Sequence, residues 1–302
     1  MKKKIALLLC STGNEAFAVG NVIIGAKKYL FQNLQSEDYD IIFYTNKLEA
    51  KDEKALKKIF PRIIIEIYKS PFSKEMLNLR ELNYFSSFTY ARFEAFNLLE
   101  RYEKVFYIDT DIVIQKDISE IIDIKTPLAI SYFANKMPIS GNFTEENIGL
   151  VKGYDLNKIS IIAAVFLIND NIKNYQIMSK WCYDKAEEYK TNDQSVLNLL
   201  IQEFDIETKD LTESYGAYPN SNISASAHII HAIGPAKFWR GTYNKEWEEN
   251  NKIWIESGGN ATYEENNKKR KQIDKIVWFI PTFKLRDKIR RYLLKKIGLT
   301  GR

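Results

Sequence analysis

Cysteine and histidine are scarce, with two of each in 302 residues. Cys10 and Cys182 cannot build a disulfide framework. Two isolated cysteines suit a reducing compartment in which both thiols fill the core. His228 and His231 lie on one short segment, so any histidine chemistry is confined there. No run of about 20 apolar residues occurs, so no segment is suited to cross a bilayer as a helix. Met1-Lys2-Lys3-Lys4 before an apolar run imitates a signal peptide's start. The run is short, however, and Gly13, Asn14 and Glu15 follow without a cleavage site. It reads as a first strand. No internal repeat is present.

Acidic residues are nearly missing from one end. Residues 268–302 carry 13 Lys and Arg against two Asp, a net of +11. The whole chain is +5, so the preceding residues carry net −6. A mildly acidic body with a strongly basic tail is a partner signal. The composition is 45% hydrophobic and 13% aromatic, enough for the core of one large α/β domain. The expected organisation is a body over residues 1–256, a Gly/Asn-rich linker over 257–267 and a basic helical tail over 268–302.

Residues 103–116 read EKVFYIDTDIVIQK. Val105, Phe106, Tyr107 and Ile108 predict a strand buried on both faces. Asp109 and Asp111 follow, two apart, so on an extended backbone they point the same way with Cα atoms roughly 7 Å apart. Two carboxylates so placed beside a core repel and resist ionising. A divalent cation relieves this, and hard oxygen ligands suit Mg²⁺ or Mn²⁺. The alternative is a pair that merely ends a strand in water.

Elsewhere, strands alternate with helices. Strands are expected at 4–10, 41–45, 63–68 and 161–169, with helices at 17–33, 48–59, 81–101 and 175–189. This alternation argues for an α/β fold with a mixed, mostly parallel sheet flanked by helices. Ligands on such sheets bind at the carboxyl ends of strands, where Ser11–Asn14 and Asp109–Asp111 both fall. In the helix expected at 81–101, Phe85, Phe88, Phe96 and Leu99 share one face, and Arg92 lies within it. A charge there needs an internal ion pair, an escape to solvent or an anionic ligand. Residues 128–160 are irregular and suggest a strand, then a long loop forming a lid or acceptor wall. Asp193 reads as the cap of an apolar helix over 196–201. In AHIIHAIGPAKFWR (227–240), His231 follows a short strand, and Lys237 beyond the Gly234 turn can reach a phosphate.

Four pieces of this sequence occur together: Tyr90-x-Arg92, KVFYIDTDIVI, Asn192-Asp193-Gln194-Ser195, and H-x-x-G-x-x-K-x-W from His231 to Trp239. In that order they resemble the family 8 glycosyltransferases, retaining enzymes of the GT-A fold, over about residues 4–245. The resemblance implies a UDP-sugar donor held through Mn²⁺ (or Mg²⁺) on Asp109, Asp111 and His231. It implies donor contacts at Thr12, Asn14, Arg92, Thr110, Gly234 and Lys237, and places Asp193 and Gln194 beside the anomeric carbon. The implied activity is transfer of a hexose, galactosyl or glucosyl, to a saccharide, glycolipid or glycoprotein acceptor in cell-surface glycan synthesis. Three positions depart from the family pattern. Ile162-Ala163-Ala164 stands for Asn-Ala-Gly, Thr12 for Asp, and Phe238 for Pro. The first bears on the donor sugar and the second on the uracil contact.

In the tail, Val277–Ile280, Phe283, Leu285, Ile289, Tyr292, Leu293 and Ile297 form an apolar stripe broken at Pro281 and surrounded by Lys and Arg. A basic amphipathic segment with Trp and Phe fits an anionic membrane surface, here the cytoplasmic face of the inner membrane. It fits nucleic acid poorly, because the body is acidic and the aromatics lie on the apolar side. Two other readings compete with a transferase. One is a non-catalytic, membrane-bound sugar-nucleotide-binding or scaffold protein of the same fold. The other is an aspartate-nucleophile phosphatase, which would need its D-x-D on the first strand and leaves 231–239 unexplained.

Overall fold

The computed structural model of the chain describes residues 2–73, 87–234 and 236–297. Among these, seven strands form one sheet: β1 (Ile5–Cys10), β2 (Tyr39–Thr45), β3 (Ile64–Ile67), β4 (Lys104–Ile108), β6 (Leu128–Tyr132), β7 (Ile161–Asn169) and β8 (Thr208–Asp210). Their order is β3-β2-β1-β4-β7-β6-β8. β7 runs antiparallel to β4 and β6; the other pairings are parallel. A separate antiparallel ribbon pairs β5 (Ile112–Ile114) with β9 (Ile229–His231). The expected mixed, mostly parallel α/β sheet is therefore present.

Strand period decides how the core divides. In β1, Ile5, Leu7 and Leu9 enter one apolar cluster, while Ala6, Leu8 and Cys10 enter the other. The first cluster is covered by α1 (Ala16–Tyr29), α2 (Ala50–Ile59) and α6 (Lys245–Glu256). The second is covered by α3 (Glu94–Leu98), α4 (Tyr175–Glu188) and α5 (Asp193–Glu203). A strand covered on both faces has no polar face, which is why β1 and β4 read as continuous apolar runs. Cys10 and Cys182 are both free and buried, as core fillers.

The expected helix at 81–101 differs. Its described part is a 3-10 turn over Ser87–Phe93 followed by the five-residue α3. Residues 74–86, including Phe85 of the apolar face, lie outside the described residues. Within this turn Arg92 points its guanidinium inward to carboxylates and carbonyls, so the face is not a continuous apolar stripe.

The stretch 257–267 is not a free linker. The Asn260 backbone N–H donates to Asp52 Oδ1 at 2.8 Å, and its side chain donates to Glu49 Oε2 at 2.7 Å, both at the start of α2. Helix α7 (Thr262–Val277) begins inside that stretch and forms a hairpin with α8 (Phe283–Lys296). Ile273, Val277 and Leu294 are buried between them. The tail stripe is thus two antiparallel helices. Part of its apolar face closes the hairpin, and the rest is exposed.

Trp254 ties this end to the body. Its fully buried ring lies between Gly20 of α1 and Gly259, and a Cβ on either glycine would collide with it. Trp254→Ala is expected to cost about 3–5 kcal/mol of stability, read as a lowered midpoint in urea unfolding.

Candidate active site

The site forms where β4 ends. The Asp109 backbone N–H donates to Ala164 O of β7 at 2.8 Å, which fixes the first carboxylate to the sheet. The chain then enters β5, whose register sets Ile112 opposite His231, and the Ala232 N–H donates to Asp111 O at 2.9 Å. This ribbon brings residues far apart in sequence into one place. Ligand atoms of Asp109, Asp111 and His231 all lie within 4.8 Å of one another. Among the described residues no other cluster of this kind occurs.

Two observations fit this triad to a hard cation. His231 Nε2 is 3.2 Å from Asp111 Oδ1, yet that buried oxygen accepts no aligned hydrogen bond. Two groups that face each other without a well-formed bond suit a shared ion. Lys237 meanwhile ion-pairs with Asp111 Oδ2, supplying positive charge at the same place. Burial opposes ionisation of Asp111, but His231 and Lys237 outweigh it and hold the carboxyl below its ordinary value. Burial also favours a neutral His231 ring, and Asp111, then Asp109, overcome it and raise its pKa.

Arg92 is buried and joins the two halves of the site. Its Nη2 donates to Asp109 Oδ1 at 2.9 Å, and its Nη1 lies 2.9 Å from Asp193 Oδ2. Nη1 also donates to Ala163 O at 2.6 Å and Nε to Thr89 O at 2.8 Å. The guanidinium stands over the Tyr107 ring, 4.6 Å from its centroid, and the Tyr107 hydroxyl donates to Asp109 Oδ1 at 2.5 Å. Burial disfavours the charge on Arg92, but Asp109 and Asp193 outweigh it and raise its pKa. The internal ion pair, one of the alternatives for this arginine, is thus what the structure contains.

The reading of Asp193 as a helix cap is corrected. Asn192 caps α5, its side chain accepting from the Ser195 N–H at 2.8 Å. Asp193 is the first helical residue and is free to meet Arg92. Gln194 is held at both ends of its amide: Oε1 accepts from the Ala163 N–H at 3.2 Å, and Nε2 donates to Asn142 Oδ1 at 2.8 Å. Asn142 in turn donates to Ser160 Oγ at 2.7 Å. The sequence reading missed Asn142 and Ser160. The only signal was that they lie in the irregular stretch 128–160. Ile162-Ala163-Ala164 takes part in these bonds through backbone groups alone.

The remaining expected residues lie around this centre. Thr12 and Asn14 are on the turn after β1, where the Gly13 N–H donates to Asn46 Oδ1 at 3.1 Å. A Cβ on Gly13 would collide with the Lys47 carbonyl, so only glycine fits. Thr110 is buried with its hydroxyl 3.5 Å from Ser11 Oγ. Gly234 has φ +64°, the left-handed conformation that turns the chain from His231 towards Lys237. His228 is not part of the centre; its Nδ1 lies 2.6 Å from Ser214 Oγ.

The glycosyl transferase family 8 profile matches residues 23–242. The chain belongs to this family. No curated protein matches at the sequence level. Among solved structures it is similar to the galactosyltransferase LgtC in complex with donor and acceptor sugar analogues. That likeness has 16% identity and a TM-score of 0.59, and covers 83% of this chain and 95% of LgtC. It is also similar to the apo bifunctional glycosyltransferase WbbM, with 17% identity and a TM-score of 0.59, covering 89% of this chain. The apo glycosyltransferase GlyE of Streptococcus pneumoniae follows at 15% identity and a TM-score of 0.52, covering 85% of this chain. The chain spans 52% of the length of WbbM and 63% of GlyE. These likenesses carry the fold, which is GT-A.

Arg92→Ala would leave Asp109 and Asp193 facing each other with their shared cation removed. It is expected to destabilise the family 8 domain by about 3–5 kcal/mol in urea unfolding, the cost of breaking a buried pair from one side.

Proposed function

We propose that the chain is a metal-dependent, retaining hexosyltransferase that uses a UDP-sugar. The observation that carries this is the Asp109–Asp111–His231 cluster, in which Asp111 Oδ1 faces His231 at 3.2 Å without an aligned hydrogen bond, beside Lys237 and the Gly234 turn. Mn²⁺ (or Mg²⁺) bound there would act as a Lewis acid towards the leaving diphosphate. Lys237 then has a second anion to pair with and adds positive charge where negative charge grows. Thr12, Asn14 and Thr110 line the approach at the end of β1, the place for the nucleoside.

Neither catalytic candidate is a free nucleophile. Asp193 is ion-paired to Arg92, and Gln194 is an amide held by Ala163 and Asn142. This favours front-face attack, in which the departing phosphate accepts the acceptor's proton, over a covalent intermediate of the kind a carboxylate forms. Gln194 is then a positioning group for the sugar.

The test is UDP release from a panel of UDP-sugars, with Mn²⁺ and with EDTA. Release from one sugar only in the presence of metal is expected. Asp111→Ala is expected to reduce it about a thousand-fold, the loss of several kcal/mol of charge neutralisation. Metal-independent release, or no metal-dependent binding of UDP by calorimetry, would overturn this reading.

The acceptor in this reading is a lipid-linked saccharide, met by a chain held peripherally on an anionic membrane. No helix among the described residues is long and apolar enough to cross one. The turn between α7 and α8 and the start of α8 instead expose Trp278, Phe279 and Phe283, at 69%, 85% and 79%. Aromatics on a basic hairpin suit the headgroup boundary. Trp278→Ser with Phe279→Ser is expected to weaken flotation with anionic vesicles about ten-fold or more, without altering the thermal midpoint.

A further inference from the structure

Tyr107 stands on β4 two residues before Asp109, so the two side chains project on the same side of the strand. Its place is that of a core aromatic. The ring is buried, stacks on Phe166 of β7 with centroids 5.0 Å apart, and lies under the Arg92 guanidinium. A phenylalanine would meet all of those contacts. What tyrosine adds is the hydroxyl, and that hydroxyl donates to Asp109 Oδ1.

The bonds to Asp109 are uneven. Oδ1 accepts twice, from the Tyr107 hydroxyl at 2.5 Å and from Arg92 Nη2 at 2.9 Å. Among the described residues no hydrogen bond reaches Oδ2. A carboxylate that only balanced the arginine would take the guanidinium fork on both oxygens. Arg92 instead directs Nη1 to Asp193 and Ala163. The Asp109 side chain is 24% exposed, against 5% for Arg92, so it opens towards the cluster with Asp111 and His231. Asp111 repeats the pattern. Its Oδ2 ion-pairs with Lys237, and its Oδ1 faces His231.

We propose that Tyr107 is a positioning residue for the metal: its hydroxyl fixes Asp109 through Oδ1, so that the carboxylate offers one oxygen, Oδ2, to the ion. The inference rests on the metal-dependent reading above and adds a residue to that site. Arg92 alone would hold Oδ1 by one bond and let the carboxylate turn about it. A second donor on the same oxygen fixes its plane. Loss of such an outer hydrogen bond costs roughly 10–100-fold in metal affinity. With Lys237 on Asp111 Oδ2, each carboxylate has one oxygen withheld from the ion. Two oxygens and an imidazole nitrogen suit a small ion such as Mn²⁺. They suit Ca²⁺ poorly, because it gathers about six to eight oxygens and often takes a carboxylate by both.

In the test, Mn²⁺ is titrated without nucleotide, and free Mn²⁺ is read by electron paramagnetic resonance. Wild type is compared with Tyr107→Phe and with Tyr102→Phe. The control is matched: Tyr102 is buried before the start of β4, and its hydroxyl donates to Asp40 Oδ2 at 2.8 Å. Thermal midpoints without metal check folding. Tyr107→Phe is expected to bind Mn²⁺ at least about ten-fold more weakly than wild type or Tyr102→Phe. Equal affinity in the two variants, whatever their midpoints, would reduce the Tyr107 hydroxyl to a satisfied core group and overturn the proposal. Tighter binding by Tyr107→Phe would mean that the hydroxyl competes with the ion for Asp109, and would overturn it as well. Either result leaves metal dependence standing. A folded wild type that takes up no Mn²⁺ would overturn both. Competition by Ca²⁺ on wild type reads the one-oxygen geometry without any variant. Ca²⁺ is expected to displace Mn²⁺ only at about ten-fold excess or more; displacement at equal concentration would overturn that geometry.

Discussion

Three carboxylates crowd the end of β4, and their charge has to be neutralised inside a protein. One buried guanidinium meets most of that demand. Arg92 binds Asp109 on one side and Asp193 on the other, and its remaining bonds go to the carbonyls of Thr89 and Ala163. In a poorly polarisable setting such an ion pair is held by geometry, because each partner stranded alone would be far more costly than the pair. The clamp therefore sets positions as well as charge. It ties the start of α5 to the end of β4 and draws the Ser87–Phe93 turn against β7.

The second half of the site depends on strand geometry. β7 runs against its neighbours, so its N-terminal end, Ile161–Ala164, lies beside the C-terminal end of β4. That places backbone groups of Ala163 and Ala164 against Gln194, Arg92 and Asp109. The β5–β9 ribbon then returns the chain from a distant stretch and sets His231 next to Asp111. A cluster assembled this way exists only in the folded chain, so its geometry is coupled to the packing of the ribbon.

The aromatic cluster around Phe17, Phe238, Trp239, Trp247 and Tyr263 links this centre to the tail. Lys237 immediately precedes it, and α7 lies on its other side. The segment that carries Lys237 is thereby held between α1 and the hairpin that presents the exposed aromatics. Lys237 and the basic hairpin thus adjoin one packed aromatic wall.

Much of this was legible in the sequence. β1, β4 and β7 read correctly because strands covered on both faces must be apolar throughout. That Asp109, Asp111, His231 and Lys237 lie together is what the family resemblance of their motifs implied. Charge counting alone separated the tail from the body. Other features depend on partners remote in sequence, and local pattern does not encode those. Asn192 and Asp193 are both competent caps, and only the position of Arg92 decides which one caps and which pairs. The helix expected at 81–101 is, in its described part, a 3-10 turn followed by a five-residue helix, and no local pattern marks that break. Asn142 is invisible until the loop folds against α5, and the linker vanishes once Asn260 finds Asp52 and Glu49. Composition and periodicity determined the strands, the layers and the charge asymmetry of this protein, because burial acts on each residue where it stands. The tertiary structure alone decided which charges meet, because a buried ion pair is a property of two places in space.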